Sequence, residues 1–409
     1  MILMKGDCDL IIRNARLIDE RGLMDIAIRG DKIVSVDIKI EMESKEELNA
    51  ECKLTLPGFI DSHMHLDKAF SGGERKWVTN TLDEAIDVSL REKQRFTFED
   101  VKDRARKATR MALKNGTTAI RTHVDLGNLA DLASLSALIE LRKELHSLID
   151  LQMVAFIVAP LTTSDVGESI LRKAMMMGAD VVGGAPHDDP NPEKYIDVIL
   201  KIAREYNADV DLHIDESNDP KDLVLECYAE KTVENRYEGR VTASHCNSLA
   251  AISDDAATRV IRKVREAKMN VIANPFTNLY LWGKDGKPTG VTRVRELLDA
   301  GVNVAYATDN TLDPFNPLGN ADMLLAALFM AYTKHLGSDA STILKMGTYN
   351  AAKATKMIQN YGIKNGGRAD IIILDAEGAQ DAIIDRAERL YVIKNGKIVA
   401  KNGVLTSKD

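Results

Sequence analysis

A short apolar run, Leu56-Pro57-Gly58-Phe59-Ile60-Asp61-Ser62, ends in His63-Met64-His65-Leu66-Asp67, with one residue between the two histidines. Side chains alternate faces along a β-strand, so His63 and His65 point the same way and offer two nitrogens to one metal ion. Such a pair can also be two half-exposed strand residues, but the context adds to it. Pro57-Gly58 punctuates the chain just before the strand. His123, His213, His245 and Asp309 each end another apolar run, and a further run leads on into His187. Of the eight histidines, only His146 and His335 fall outside this set.

His63, His65, His213 and Asp309 together form a nitrogen and oxygen donor set suited to zinc or ferrous iron, with manganese also accepted and one position left for water. In His213-Ile214-Asp215-Glu216 a carboxylate stands just beyond a ligand. Glu216 is read as a proton shuttle, and Asp215 is expected to point away from the site.

Elements of two kinds must position these groups. Residues 56–360 alternate apolar strands with helical segments, the pattern of a parallel α/β fold. Eight strands are expected, beginning near Phe59, Thr118, Leu151, Asp180, Asp209, Val241, Asn270 and Asn303. Helices are expected over Thr81 to Lys93, Phe98 to Asn115, Ala133 to His146, Ile252 to Lys268 and Thr292 to Ala300. Gly116 and Gly301 are stop signals directly after two of them. This predicts a (β/α)8 TIM-like barrel, whose catalytic groups gather at the C-terminal ends of its strands. Residues 1–55 read as a small antiparallel sheet with turns at Asp19-Glu20-Arg21-Gly22 and Gly30-Asp31, and residues 361–409 carry strands around an Asn395-Gly396 hairpin turn. Neither end can bury a core alone, so the two are expected to pair into one β-sandwich domain.

With 409 residues, 45% hydrophobic and 28% charged, the composition is that of a globular protein, and no apolar run approaches the roughly 20 residues of a membrane span. The first residues carry Asp7, Asp9, Arg13 and Arg16, which interrupt any signal-peptide core, so a cytoplasmic location is expected. Cys8, Cys52, Cys227 and Cys246 lie far apart and read as reduced thiols. A net charge of -8 without a basic footprint argues against nucleic acid. Self-association is left open.

The chain resembles the amidohydrolase superfamily, and within it the cytosine deaminase branch, which is similar also to N-isopropylammelide hydrolases. The resemblance is carried by Leu56 to Asp67, Arg121-Thr122-His123-Val124-Asp125, Leu212 to Glu216, Thr242-Ala243-Ser244-His245, Asn274 to Gly283 and Asp309 to Asn320. It implies one metal ion on His63, His65, His213 and Asp309. Two-metal members bridge their ions with a carboxylated lysine after the fourth strand, where this chain has Gly183-Gly184-Ala185-Pro186-His187. It also implies that activated water attacks an amidine-like ring carbon of a small heterocyclic substrate. Glu216 passes a proton to the ring nitrogen, His245 steadies the oxyanion, and Asp309 hands a proton to the departing ammonia or alkylamine.

The same water and metal would also serve hydrolysis of a cyclic or linear amide. A non-catalytic scaffold of this fold would be expected to lack ligands, and none is missing. Val158 stands where cytosine deaminases carry a glutamine that reads the pyrimidine edge, Asn310 where an acid is common, and Phe315 where they carry tryptophan. A substrate with a different polar edge from cytosine is therefore expected. Phe315 can stack on a ring. Phe276 and Trp282, in a loop after the seventh strand, are expected to wall the pocket, and Lys68 is expected at the surface.

Overall fold

In the computed structural model, residues 8–18, 22–72, 79, 81–282, 290–333 and 339–406 are described. Met1 to Asp7, Asp19 to Arg21, Gly283 and His335 lie outside them.

The eight apolar runs become the parallel strands Phe59–Met64, Thr117–Leu126, Asp150–Ile157, Val181–Gly184, Asp209–Ile214, Val241–His245, Asn270–Ala273 and Asn303–Tyr306. They are hydrogen-bonded in sequence order, and a bridge from Met64 to Asp309 links the last turn of chain back to the first strand. Nearly every residue on them is buried, as expected when helices cover a parallel sheet on one side and packed side chains fill the other. The intervening helices are amphipathic. Asp254–Glu266, capped by Ser253, buries Ala257, Val260, Ile261 and Val264, a spacing of three and four residues that places one apolar stripe on the barrel. Thr81 and Thr97 cap Leu82–Lys93 and Phe98–Lys114 through hydroxyls that accept from Glu84 and Asp100 N–H. Gly116 follows the second of these at φ 88°, a conformation in which a Cβ would be strained.

The two chain ends build a separate nine-stranded sheet. Leu54–Pro57 is its seam, parallel to Cys8–Leu17 through Arg16 and Leu54 and antiparallel to Ile371–Leu374 through Leu56 and Ile372. The N-terminal part is therefore mixed, not purely antiparallel: Ser44–Asn49 also runs parallel to Cys8–Leu17, because the chain crosses over before returning to the sheet. Leu10, Ile12, Ile26, Ile28, Ile371 and Ile373 share one apolar cluster, which neither end could close alone. Asn395 and Gly396 adopt φ of 50° and 75°, as a two-residue hairpin turn requires. Lys394, fully buried, donates to Asp150 at 2.6 Å and Asp370 at 2.7 Å, tying this sheet to the floor of the barrel.

Candidate metal and active site

His63 lies on the first barrel strand and His65 one residue past its end. His213 is the last residue but one of the fifth strand, and Asp309 follows the eighth. All four are 5% exposed or less. The Nε2 atoms of His65 and His213 are 3.3 Å apart, and Asp309 Oδ1 lies 3.5 Å from Nε2 of both His63 and His65. Ligands on a tetrahedral zinc, each about 2.0–2.1 Å from the ion, are about 3.3–3.4 Å from one another. His63 Nε2 and both carboxylate oxygens of Asp309 are buried without a hydrogen-bond partner among the described residues, an arrangement that costs free energy unless something else satisfies them. Burial, with repulsion among the clustered rings, holds His63 and His213 well below the ordinary histidine range. Burial and Lys68 bring His65 down to about 4. The rings are thus neutral at physiological pH and carry lone pairs, so the donor set fits a divalent cation.

Glu216, just past the fifth strand, faces His245 across 3.4 Å. Burial, then the Asp309 and Asp188 charges, push its carboxyl well above the ordinary range, so it readily carries a proton. His245 and Asp309 adopt φ of 73° and 64°, a conformation that non-glycine residues hold only when their surroundings enforce it. The Asn278 side-chain amide lies 3.0 Å from His245 Nδ1 and that of Asn274 3.2 Å from Nε2. Both asparagines stand in the stretch that carries the resemblance, yet no chemistry in the sequence alone marked them. Asp215 turns away as expected: its carboxylate accepts from Val224 N–H at 2.7 Å and Leu225 N–H at 3.1 Å, at the start of helix Leu225–Glu234.

A cavity of about 210 Å³ opens onto these groups, small beside the roughly 300–1,000 Å³ of drug-sized sites. Val158, Asn310 and Phe315 line it. Asn310 spends its side chain within the wall, accepting from Thr277 at 3.2 Å and donating to Asp313 at 2.7 Å. Phe276 and Trp282 do not line the cavity. They belong to a helix, Pro275–Trp282, not a loop, and Phe276 packs edge-on against Phe329 at 5.3 Å. The ring against the donor set is instead Phe156, 4.2 Å from His213 between centroids.

Lys68 is not at the surface. It is 4% exposed in the cavity wall, donating to Asp125 at 2.9 Å with its ammonium 4.6 Å from the Phe315 ring centre. Asp125 and Asp67 hold its charge and raise its pKa against the opposing effect of burial. Helix Leu82–Lys93 supplies a second, apolar wall through Leu82, Ile86 and Leu90, which recur every four residues. This wall is a face visible in the sequence only as helical periodicity. His187 sits at the rim beside Asp188, and His123 stacks on His63 with 4.0 Å between ring centres.

A profile of the amidohydrolase family matches residues 70–400. The chain is 37% identical over 416 residues to the N-isopropylammelide isopropyl amidohydrolase of Pseudomonas sp. (strain ADP), covering 99% of this chain and 100% of that protein. Among solved structures, 5-methylcytosine deaminase from Klebsiella pneumoniae superposes with a TM-score of 0.91 at 32% identity, covering 98% of this chain and 100% of that one. N-isopropylammelide isopropylaminohydrolase from Burkholderia multivorans superposes with a TM-score of 0.86 at 27% identity, covering 97% and 99%. Barrel, buried donor set and near full-length similarity agree, and the chain belongs to the amidohydrolase family.

Proposed function

We propose that this protein hydrolyses an exocyclic C–N bond of a small nitrogen heterocycle, releasing ammonia or an alkylamine, with one divalent ion held by His63, His65, His213 and Asp309. The observation that carries this reading is the convergence of a buried, unsatisfied donor set with Glu216 and His245 on one small cavity. The relatives support it, since their names specify an N-alkylated ammelide and 5-methylcytosine. Zinc or iron suits the donors, with manganese an alternative. Among the described residues no helix is long and apolar enough to cross a membrane.

When bound, the ion supplies the Lewis acidity that makes water a nucleophile near neutral pH. The side chains do the rest. Water oxygen bonds to the amidine-type ring carbon, and Glu216 takes one of its protons and delivers it to the adjacent ring nitrogen. His245, steadied by Asn274 and Asn278, faces the oxygen as negative charge grows there. Asp309 carries the second proton to the exocyclic nitrogen, the C–N bond breaks, and a ring carbonyl remains. Phe156 and Phe315 flank the ring, and burial of the ligands keeps bulk water from competing.

The test is ammonia or amine release from the zinc- and iron-loaded protein against cytosine, isocytosine, creatinine, pterin and amino- or alkylamino-triazines, beside cyclic and linear amides. Release from at least one heterocycle is expected. Turnover confined to amides overturns the reading.

A further inference from the structure

Beneath the donor set runs a series of buried polar groups that the reaction does not use. His63 turns Nδ1 toward Ser244 Oγ at 3.0 Å, Ser244 donates to Asp211 Oδ1 at 2.8 Å, and Arg121 donates to Asp211 Oδ2 at 2.9 Å. All four side chains are 1% exposed or less. They come from the first, sixth, fifth and second barrel strands. Arg121 is itself held by Gln152 Oε1 at 2.7 Å and the Thr355 carbonyl at 3.0 Å.

The direction of these bonds is forced. A guanidinium is always charged, so a buried one needs an anion, and Asp211 supplies it. The two Asp211 oxygens are divided between the two donors, Oδ2 accepting from Arg121 and Oδ1 from Ser244. A carboxylate only accepts, so the single hydroxyl proton of Ser244 points to Asp211. Ser244 then presents only lone pairs to His63, and the ring proton must sit on Nδ1. Nε2 is left with its lone pair on the side where Asp309 Oδ1 lies 3.5 Å away. The other tautomer would set two lone pairs against each other at Ser244 and bury an N–H among the ligands.

We propose that Ser244 and Asp211, anchored by Arg121, are positioning residues that lock His63 in the Nδ1–H tautomer and so set its strength as a metal ligand. The other two histidines of the proposed set have weaker holds: His65 Nδ1 is 3.7 Å from Asp125, and His213 Nδ1 has no hydrogen-bond partner among the described residues. His63 is thus the fixed point of the donor set. Hydrogen-bond partners of this kind orient ligating histidines and raise their basicity. The inference rests on the ligand set proposed above.

The test uses full-length protein loaded with zinc and titrated with a chelating indicator. Ser244→Ala removes the acceptor at Nδ1 but leaves the Arg121–Asp211 pair whole. It is expected to weaken zinc binding about 10- to 100-fold, with the melting temperature of the zinc-stripped protein close to wild type. Equal zinc affinity in S244A and wild type overturns the proposal. A second measurement needs no variant: nitrogen NMR of histidine-labelled, zinc-stripped wild type is expected to show His63 protonated at Nδ1. A proton found on Nε2 overturns the proposal even if S244A fails to fold. Absence of zinc binding by wild type would instead remove the ligand set itself, and this inference with it.

Discussion

Asp309 donates its backbone N–H to the carbonyl of His63 at 2.9 Å, and His65 returns a bond to the carbonyl of Asp309 at 3.3 Å. The last residue of the proposed donor set is therefore stitched to the first two by main-chain bonds between the segment after the eighth strand and the end of the first. Asp61, one turn lower on the same seam, accepts from Thr308 N–H at 3.2 Å and from its hydroxyl. These bonds tie down the main chain on both sides of the left-handed φ at Asp309.

Asp309→Asn is accordingly expected to keep the fold and lose most of the activity, by about 100-fold or more, since it removes a charged ligand and the second proton carrier. Circular dichroism and turnover on the same preparation check it. Full activity would remove the proposed mechanism.

Glu216→Gln should separate chemistry from metal binding. Glu216 faces His245 across 3.4 Å and lies in the same cluster as His213, and as a proton carrier and not a ligand it should leave metal content at the wild-type level when changed, while kcat falls about 100- to 10,000-fold. A metal-depleted variant would mean that Glu216 is a ligand.

Val158 is 44% exposed at the cavity mouth, so a longer side chain can be added without overpacking. Val158→Gln introduces a donor and an acceptor where the wall is apolar. It is expected to shift kcat/KM toward rings that pair an N–H with a carbonyl, by about tenfold relative to alkylated rings. Competition between two such substrates reads the shift directly, and an unchanged ratio argues that this edge does not meet the ring.

Asp313 connects pH to stability. Burial raises its carboxyl to about 6, although Lys68, Asn310 and two backbone N–H groups favour the ion. A carboxyl raised in the folded state contributes stability that is present below its unfolded value, near 4, and is lost as pH rises through the folded value. This group alone should cost up to about 3 kcal/mol between pH 4 and 6. Asp313→Asn is expected to flatten that slope in urea midpoints, whatever it does to the absolute stability.

Five strand ends were legible because each combined an apolar run with a metal-capable residue, and a barrel of eight parallel strands brings such ends to one rim. The proposed donor set was read from residue type together with position at strand ends. Side-chain direction was not legible. Phe276 and Lys68 show why: an aromatic residue in a polar stretch and a lysine beside Asp67 each read one way locally, and tertiary packing placed them the other way. Phe276 found Phe329, more than fifty residues later, and Lys68 found Asp125 and Phe315. The strand Ser44–Asn49 and its parallel pairing were hidden because its residues hold one apolar side chain and no alternation.

The seam at Leu54–Pro57 and Ile371–Leu374 also bears on synthesis. At roughly 5–20 residues per second, the first strands leave the ribosome many seconds before the partner that completes their sheet. During that interval the edge of Leu54–Pro57 is an open template for stray pairing. Protection of the newly made N-terminal segment, by a chaperone or by early docking on the barrel, is thus a requirement of how this sheet is sewn from both ends of the chain.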